Sequence, residues 1–302
     1  MLIEMSFKEL IAEKRFQGLT ENSLRSYENL FRHFGNWLQE NDIEHTQDLT
    51  SQTVKAYLLH CKEHGNKPKT FNSKLKLIRS WVRWMLDEEI IDKDICKNIK
   101  LVREDDSPKI VREEDIQLAL RHLRRMKRRE DSLYSIRNHA IMITLIGTGL
   151  RVTELVSLDW NDIDFNDWLI TIQKSKSRRS GSVPLSEALA KELRVYKSFV
   201  ENRFKDMPES VFVNNEGERL TKNGVQLFIK RLKKELGIQG TFSPHAMRNV
   251  FIKRLLMNKA NLREIQLLAR HSKIEVTRQY IGYFQHELKE VLDEHDPLKG
   301  LL

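Results

Sequence analysis

Three helix-start signals crowd into one stretch near the C-terminal end of the chain, Ser243 to Tyr283, and they dictate which side chains there can meet. Ser243 precedes Pro244, an N-cap acceptor followed by a proline whose missing N–H costs nothing at the first helical position. Asn261 with Glu264, and Ser272 with Glu275, repeat the pattern of a short acceptor followed three residues later by a carboxylate. The breaks matter because of His271 and Tyr280. At about 100° per residue, their spacing would put them on opposite faces of one continuous helix. A helix ending near Arg270 and another starting at Ser272 remove that obstacle. His245 and Arg248 lie three residues apart and share a face of the first helix. The stretch can therefore present two imidazoles, a guanidinium and a phenol to one point.

Those groups suit phosphoryl transfer. Guanidinium forks hold phosphate oxygens bidentately, imidazoles donate hydrogen bonds or move protons, and a phenol can attack phosphorus to give a covalent intermediate. Cationic side chains can neutralise the transition state without a metal. The pattern His245-x-x-Arg248, then His271, then Tyr280 resembles the C-terminal signature of the tyrosine recombinases, the phage-integrase and Xer-like site-specific recombinases. Upstream, GTGLRVTEL is similar to the stretch that carries the family's first catalytic arginine, which makes Arg151 a second phosphate clamp and Glu154 a supporting acid.

The resemblance implies a division of labour. Arg151 and Arg248 hold the non-bridging oxygens of the scissile phosphate, and His245 and His271 hydrogen-bond it. His245 is the better candidate to take the proton from Tyr280, which attacks to leave a 3′-phosphotyrosyl link. A hairpin lysine protonates the departing 5′-oxygen; Lys176 is in the best register, with Lys174 a close rival. No cofactor and no metal are implied. Two residues depart from the common pattern: Asn249 stands where many members have histidine, and Arg270 where glycine is usual before the second histidine. Tyr283 lies close to Tyr280, but the interval from His271 favours Tyr280.

The chain's 302 residues allow two domains, and a 40% hydrophobic share with 31% charged residues describes a soluble protein with a sizeable core. No apolar run approaches the roughly 20 residues that a membrane span needs, and the beginning, MLIEMSFKELIAEK, has acids where a signal peptide would be apolar. A cytoplasmic protein is expected. Cys61 and Cys96 are isolated thiols without metal-ligand spacing, read as small apolar residues. The net charge of +9 is uneven: residues 1–105 hold 17 Lys and Arg against 17 Asp and Glu, which leaves 35 against 26 for the remainder. That excess favours a polyanion without naming one.

Residues 1–101 read as an all-helical domain and 102–113, VREDDSPKIVRE, as a linker, with a second domain over 114–302. Helical spacing joins Leu24, Tyr27, Leu30, Phe31, Phe34 and Leu38; a short helix follows Thr50 or Ser51; another runs from about Thr70 to Asp87 through Phe71, Leu75, Ile78, Val82 and Met85. Lys76, Arg79 and Arg83 form a basic stripe on that last helix. It reads either as a solvated face or as a DNA-backbone contact, and the resemblance to the family's N-terminal core-binding domain favours DNA. Trp81 and Trp84 read as core. The basic run Arg121 to Arg129 reads as a solvated helix end or loop, with direct DNA contact as the alternative.

In the second domain a buried helix spans about Ser135 to Thr148, Trp168 to Gln173 and Ser182 to Leu185 make a hairpin, Val211 to Asn214 a third short strand, and Thr221 to Glu235 a basic helix. A last amphipathic segment, His286 to His295, resembles the tail by which Xer-like members dock on a neighbouring subunit. The expected fold class is mainly α with a small β-sheet: an N-terminal helical core-binding, SAM-like domain plus a C-terminal α+β catalytic domain of the tyrosine-recombinase kind.

The function that the resemblance implies is site-specific DNA recombination. Its partners would be double-stranded DNA with an inverted-repeat core site and further copies of the chain, a tetramer on synapsed DNA, with the need for a second recombinase left open. Three rivals stand beside it: a purely structural helical protein, which would show no salt-dependent DNA affinity, and two that use overlapping parts. A type IB topoisomerase has a similar chemical set, and a non-catalytic DNA-binding module would bind a site without cutting it.

Overall fold

The apolar stripe from Leu24 to Leu38 becomes the buried face of a helix in the computed structural model, which describes residues 1–104, 109–173, 181–271, 273–280 and 292. The fold is mainly helical with one small antiparallel sheet, and the chain divides into two units, Met1–Asp105 and Asp106–Leu302.

The first unit contains α1 (Ile3–Phe16), α2 (Glu21–Glu40), α3 (Ser51–Glu63) and α4 (Pro68–Asp87). Thr50 caps α3, its hydroxyl accepting from the Thr53 amide at 3.1 Å, while Pro68 opens α4 where its lost donor is not needed. The core is aromatic. Phe7 stacks on Phe31 with centroids 3.9 Å apart, Phe34 meets Tyr57 at 4.4 Å, and the fully buried Trp81 touches Phe7 while its indole N–H donates to Ser6 Oγ. Trp84 is buried as well, so both tryptophans are core residues. Cys61 and Cys96 are buried free thiols, and burial pushes the Cys96 thiol up to about 12.

The second unit contains α5 (Glu113–Arg129), α6 (Leu133–Thr148), α7 (Val152–Val156), β1 (Ile163–Asp164), β2 (Leu169–Ile172), β3 (Gly181–Pro184), α8 (Glu187–Arg203), α9 (Lys222–Glu235), α10 (Pro244–Met257), α11 (Leu262–Leu268) and α12 (Ile274–Arg278). Helix α6 is apolar on most sides because it packs against α5, α8 and α10 at once. It stops at Gly149, whose φ of 60° is left-handed and whose Cα faces the Phe251 ring so closely that a Cβ would sit 2.4 Å from Phe251 Cδ1. Conformation and space both demand glycine there.

The hairpin forms as β2 and β3, with Ile170 opposite Val183, and its apex at 174–180 lies outside the described residues. The third strand of the sheet is not the one expected. It is β1, which pairs Ile163 with Ile170, whereas among the described residues Val211 to Asn214 makes a single isolated bridge, Val213 to Arg219, next to another between Asp159 and Ser210. The reason is packing: Val211, Phe212 and Val213 are all buried, so that stretch lacks the alternation of a one-faced sheet strand. Among the described residues, no helix is long and apolar enough to cross a membrane.

Candidate active site

The segment that was expected to break into three helices does so. Ser243 Oγ accepts from the Ala246 amide at the start of α10, and Asn261 and Glu264 cap each other's amides at 2.9 Å at the start of α11. The second break is wider than expected: α11 ends at Leu268 and α12 begins only at Ile274, with Lys273 in the N-cap position and no side-chain cap, while Ser272 lies outside the described residues. Between them, Arg270 turns the chain with a left-handed φ of 54°, a conformation costing a non-glycine residue roughly 1–2 kcal/mol. That turn separates α11 from α12 and lets His271 and Tyr280 escape the opposed faces of a single helix.

Arg248 joins the pieces. It is almost wholly buried; its Nη1 donates to the Gly149 carbonyl at 2.5 Å and its Nη2 to the Ala269 carbonyl. Those carbonyls belong to the two turns that lead into Arg151 and into Arg270-His271. Burial pushes the Arg248 guanidinium down to about 10, helped by repulsion from Arg151 and Arg270 and opposed by Glu154 and Tyr280. It remains a cation at neutral pH, and the two separate nitrogens of its rigid fork reach one carbonyl each.

Arg151 stands at the start of α7, half exposed, with Nη1 2.9 Å from Glu154 Oε1. Glu154 is buried, caps the Arg151 amide through Oε2 at 2.8 Å, and also receives Arg270 Nη2 on Oε2 at 2.7 Å. One carboxylate thus holds two guanidiniums. The sequence offers Glu154 as a supporting acid, and here its role has a shape: it fixes the forks of Arg151 and Arg270 side by side.

His271 pairs its Nδ1 with Thr277 Oγ1 at 2.9 Å. Burial, with Arg248, Arg151, His245 and Arg270 nearby, pushes the imidazole down to about 4, so it is neutral at neutral pH. The tautomer that accepts from Thr277 at Nδ1 carries its proton on Nε2, where it can be donated to an oxyanion. Thr277 is fully buried and escapes a reading of the sequence, which gives it no signal beyond a place between His271 and Tyr280. His245 is exposed at the start of α10 and close enough to add its charge to the environment of His271.

The phenol of Tyr280 is buried against Phe251, Ile252, Ile265 and Ala269, and its hydroxyl donates to Asn249 Oδ1 at 2.8 Å. Burial raises its pKa, and Arg248 opposes the rise. Asn249 in turn donates Nδ2 to the Lys109 carbonyl at 3.0 Å, so the amide is oriented from both ends. The sequence marks Asn249 only as a departure from the usual histidine; the contact with the phenol gives it a function. Lys176, Lys174, Tyr283 and the segment 286–295 lie outside the described residues, Leu292 excepted. Among the described residues, no group of three or more His, Cys, Asp or Glu side chains is placed to hold a metal.

In the first unit, Lys76 and Arg83 are exposed on α4, whereas Arg79 is half-buried and donates to the Ile99 carbonyl. The stripe therefore has two cations turned to solvent and one already engaged. On α5, Lys127 is bound to Glu192 at 2.6 Å, while Arg121, Arg124, Arg125, Arg128 and Arg129 are exposed.

Comparison with known proteins agrees with this geometry. Residues 109–286 match the phage integrase family, and residues 6–89 match the N-terminal SAM-like domain of phage integrases. The tyrosine recombinase XerD of Oceanobacillus iheyensis is 28% identical over 286 residues, covering 93% of this chain and 94% of that protein. Among solved structures, the integrase of transposon Tn1549 in complex with transposon right end DNA superposes with a TM-score of 0.76 at 20% identity, over 92% of this chain and 93% of that one. A lambda integrase dimer bound to a COC′ core site gives 0.76 at 15% identity, over 91% and 96%. At those identities the two structures establish the shared fold.

Proposed function

The chain belongs to the phage integrase family, and from that premise we propose that it is a site-specific DNA recombinase, which cuts and rejoins strands through a 3′-phosphotyrosyl link to Tyr280. The observation that carries the reading is Arg248. Its two carbonyl contacts tie the turn ahead of Arg151 to the turn ahead of His271, and its charge acts on both His271 and the buried Tyr280.

In the reaction, the Arg151 and Arg248 forks hold the non-bridging oxygens of the scissile phosphate, and neutral His271 donates Nε2–H to the same group. The phenolic oxygen of Tyr280 bonds to phosphorus as the bond to the 5′-oxygen breaks. The phenolic proton passes to a base, for which His245 is the candidate, and the 5′-oxygen takes a proton from Lys176 or Lys174. An amide oxygen cannot accept the phenolic proton, so Tyr280 leaves Asn249 before it attacks. A phenol of pKa near 10 needs both that release and a base. The phosphotyrosyl bond conserves the energy of the phosphodiester, and a second 5′-hydroxyl reverses the steps on a new strand.

The partner is duplex DNA with paired, inverted half-sites, bound by several copies of the chain as a tetramer at synapsis; a second recombinase is compatible with the same chemistry. Residues 1–101 serve as the core-binding domain, with Lys76 and Arg83 on the phosphate backbone, 102–113 as the linker, and 114–302 as the catalytic domain. The proposed place of action is the cytoplasm.

A nicked duplex that carries the presumed target site tests the reading, because loss of the short cleaved fragment traps the covalent intermediate. Denaturing gels should show a protein–DNA adduct with the parent and none with Tyr280→Phe. DNA binding with no adduct from either protein would point to a non-catalytic module. Relaxation of any supercoiled plasmid without exchange between two sites would point to a type IB topoisomerase.

A further inference from the structure

Arg270 stands where the signature allows a residue with no side chain, and the structure gives this guanidinium a place. Its Nη2 is anchored on Glu154 Oε2, its stem passes the first residue of β3, with a Cβ on Gly181 lying 3.6 Å from Arg270 Cδ, and its Nη1 is buried without a hydrogen-bond partner among the described residues. Buried donors left unpaired in a folded protein are uncommon and costly. This one lies in the cluster formed by Arg151, Arg248 and His271, whose charges act on one another.

We propose that Arg270 is a third phosphate-binding guanidinium of this site, anchored through Nη2 and turning Nη1 to a non-bridging oxygen of the DNA phosphate that Arg151 and Arg248 hold. The inference rests on the DNA-cleavage reading above. Charge supports it. With His271 neutral, Arg151, Arg248 and Arg270 against Glu154 give these four side chains a net charge of +2. A phosphodiester carries one negative charge in the ground state and gains a second as the phenolate adds. Without Arg270 the same set would carry only one positive charge, matched to the ground state; with it, the set matches the transition state, which is where electrostatic stabilisation accelerates a reaction.

The test uses the full chain and two probes, inorganic orthophosphate and orthovanadate, titrated by calorimetry, with thermal melting of each variant as a control. Arg270→Gly suits the left-handed backbone and should fold. It should bind both probes about tenfold more weakly than the parent, equivalent to 1.4 kcal/mol. Arg270→Lys keeps the charge but has a single head, which Glu154 engages, so it should recover little of the loss. Unchanged affinity in Arg270→Gly, with weakened binding in Arg151→Gln, would overturn the role of Arg270 and leave the phosphate pocket standing. If Arg151→Gln is also unchanged, or if the parent shows no saturable binding, the pocket reading fails and the Arg270 assignment with it.

Discussion

Gly149 is the position at which one methyl group should do the most damage for its size. Its backbone is left-handed at φ 60°, which costs an alanine roughly 1–2 kcal/mol. The added Cβ would also lie 2.4 Å from Phe251 Cδ1, inside contact distance of a buried ring, and overpacking of that kind costs about 1–3 kcal/mol. Gly149→Ala should therefore lose about 2–5 kcal/mol of unfolding free energy, measured by urea denaturation followed by circular dichroism. Because the Gly149 carbonyl accepts from Arg248, the loss should come with weaker adduct formation on the nicked duplex. The double variant Gly149→Ala/Phe251→Leu separates the two costs: it should regain the packing part, a coupling of about 1–3 kcal/mol, and keep the backbone part. A loss below about 0.5 kcal/mol, or no coupling between the two positions, would refute this account of the turn.

Thr277→Val removes the partner of His271 Nδ1 while keeping the shape, and should slow adduct formation about tenfold or more with DNA affinity unchanged; equal slowing of binding and cleavage would count against an orienting role. Stability should rise with pH between about 4 and 6.5, because His271 and His139, which is buried on α6, are both pushed down to about 4, chiefly by burial, and the unfolded chain binds protons in that window that the folded chain refuses. Urea unfolding at a series of pH values checks this, and His139→Gln should flatten part of the slope; a flat profile in the parent would contradict both assignments. Lys76→Ala and Arg83→Ala should each reduce the slope of log affinity against log salt by about 0.9 for duplex DNA, whereas Arg79→Ala, whose guanidinium is engaged by Ile99, should chiefly lower stability. Fluorescence anisotropy across a salt series would reveal an unchanged slope if the stripe does not touch phosphate.

Periodicity made the helices readable because each buries one face. The residues spaced along α2 are its buried set, and Ser243, Asn261 and Thr50 cap where the acceptor pattern put them. The sheet was harder to read. β1 has two residues, too few to show alternation, and Val211 to Val213 is buried on every side chain, a pattern shared by strands and by extended core segments. In the site, charged residues announced themselves by type and spacing, whereas Thr277 and the amide of Asn249 act through contacts between residues 6 and 31 positions apart, which no local pattern encodes. Arg270 was visible only as an oddity, since its meaning depends on a carboxylate 116 residues away.

A strand-cutting enzyme makes errors in the form of breaks, and on the proposal that Tyr280 is the nucleophile, its contact with Asn249 helps set how often the resting chain is armed. One neutral hydrogen bond contributes about 1 kcal/mol net. A phenol ring that leaves its cluster of Phe251, Ile252, Ile265 and Ala269 gives up about 2 kcal/mol of burial. Together these leave an exposed, ready tyrosine on the order of once per hundred molecules. That is a low idling rate, and a small one to overcome: docking on the right duplex needs to supply only a few contacts' worth of free energy to bring the nucleophile out. A safety catch this light suits a machine that must also let go, because the same tyrosine returns to Asn249 once the strand is sealed.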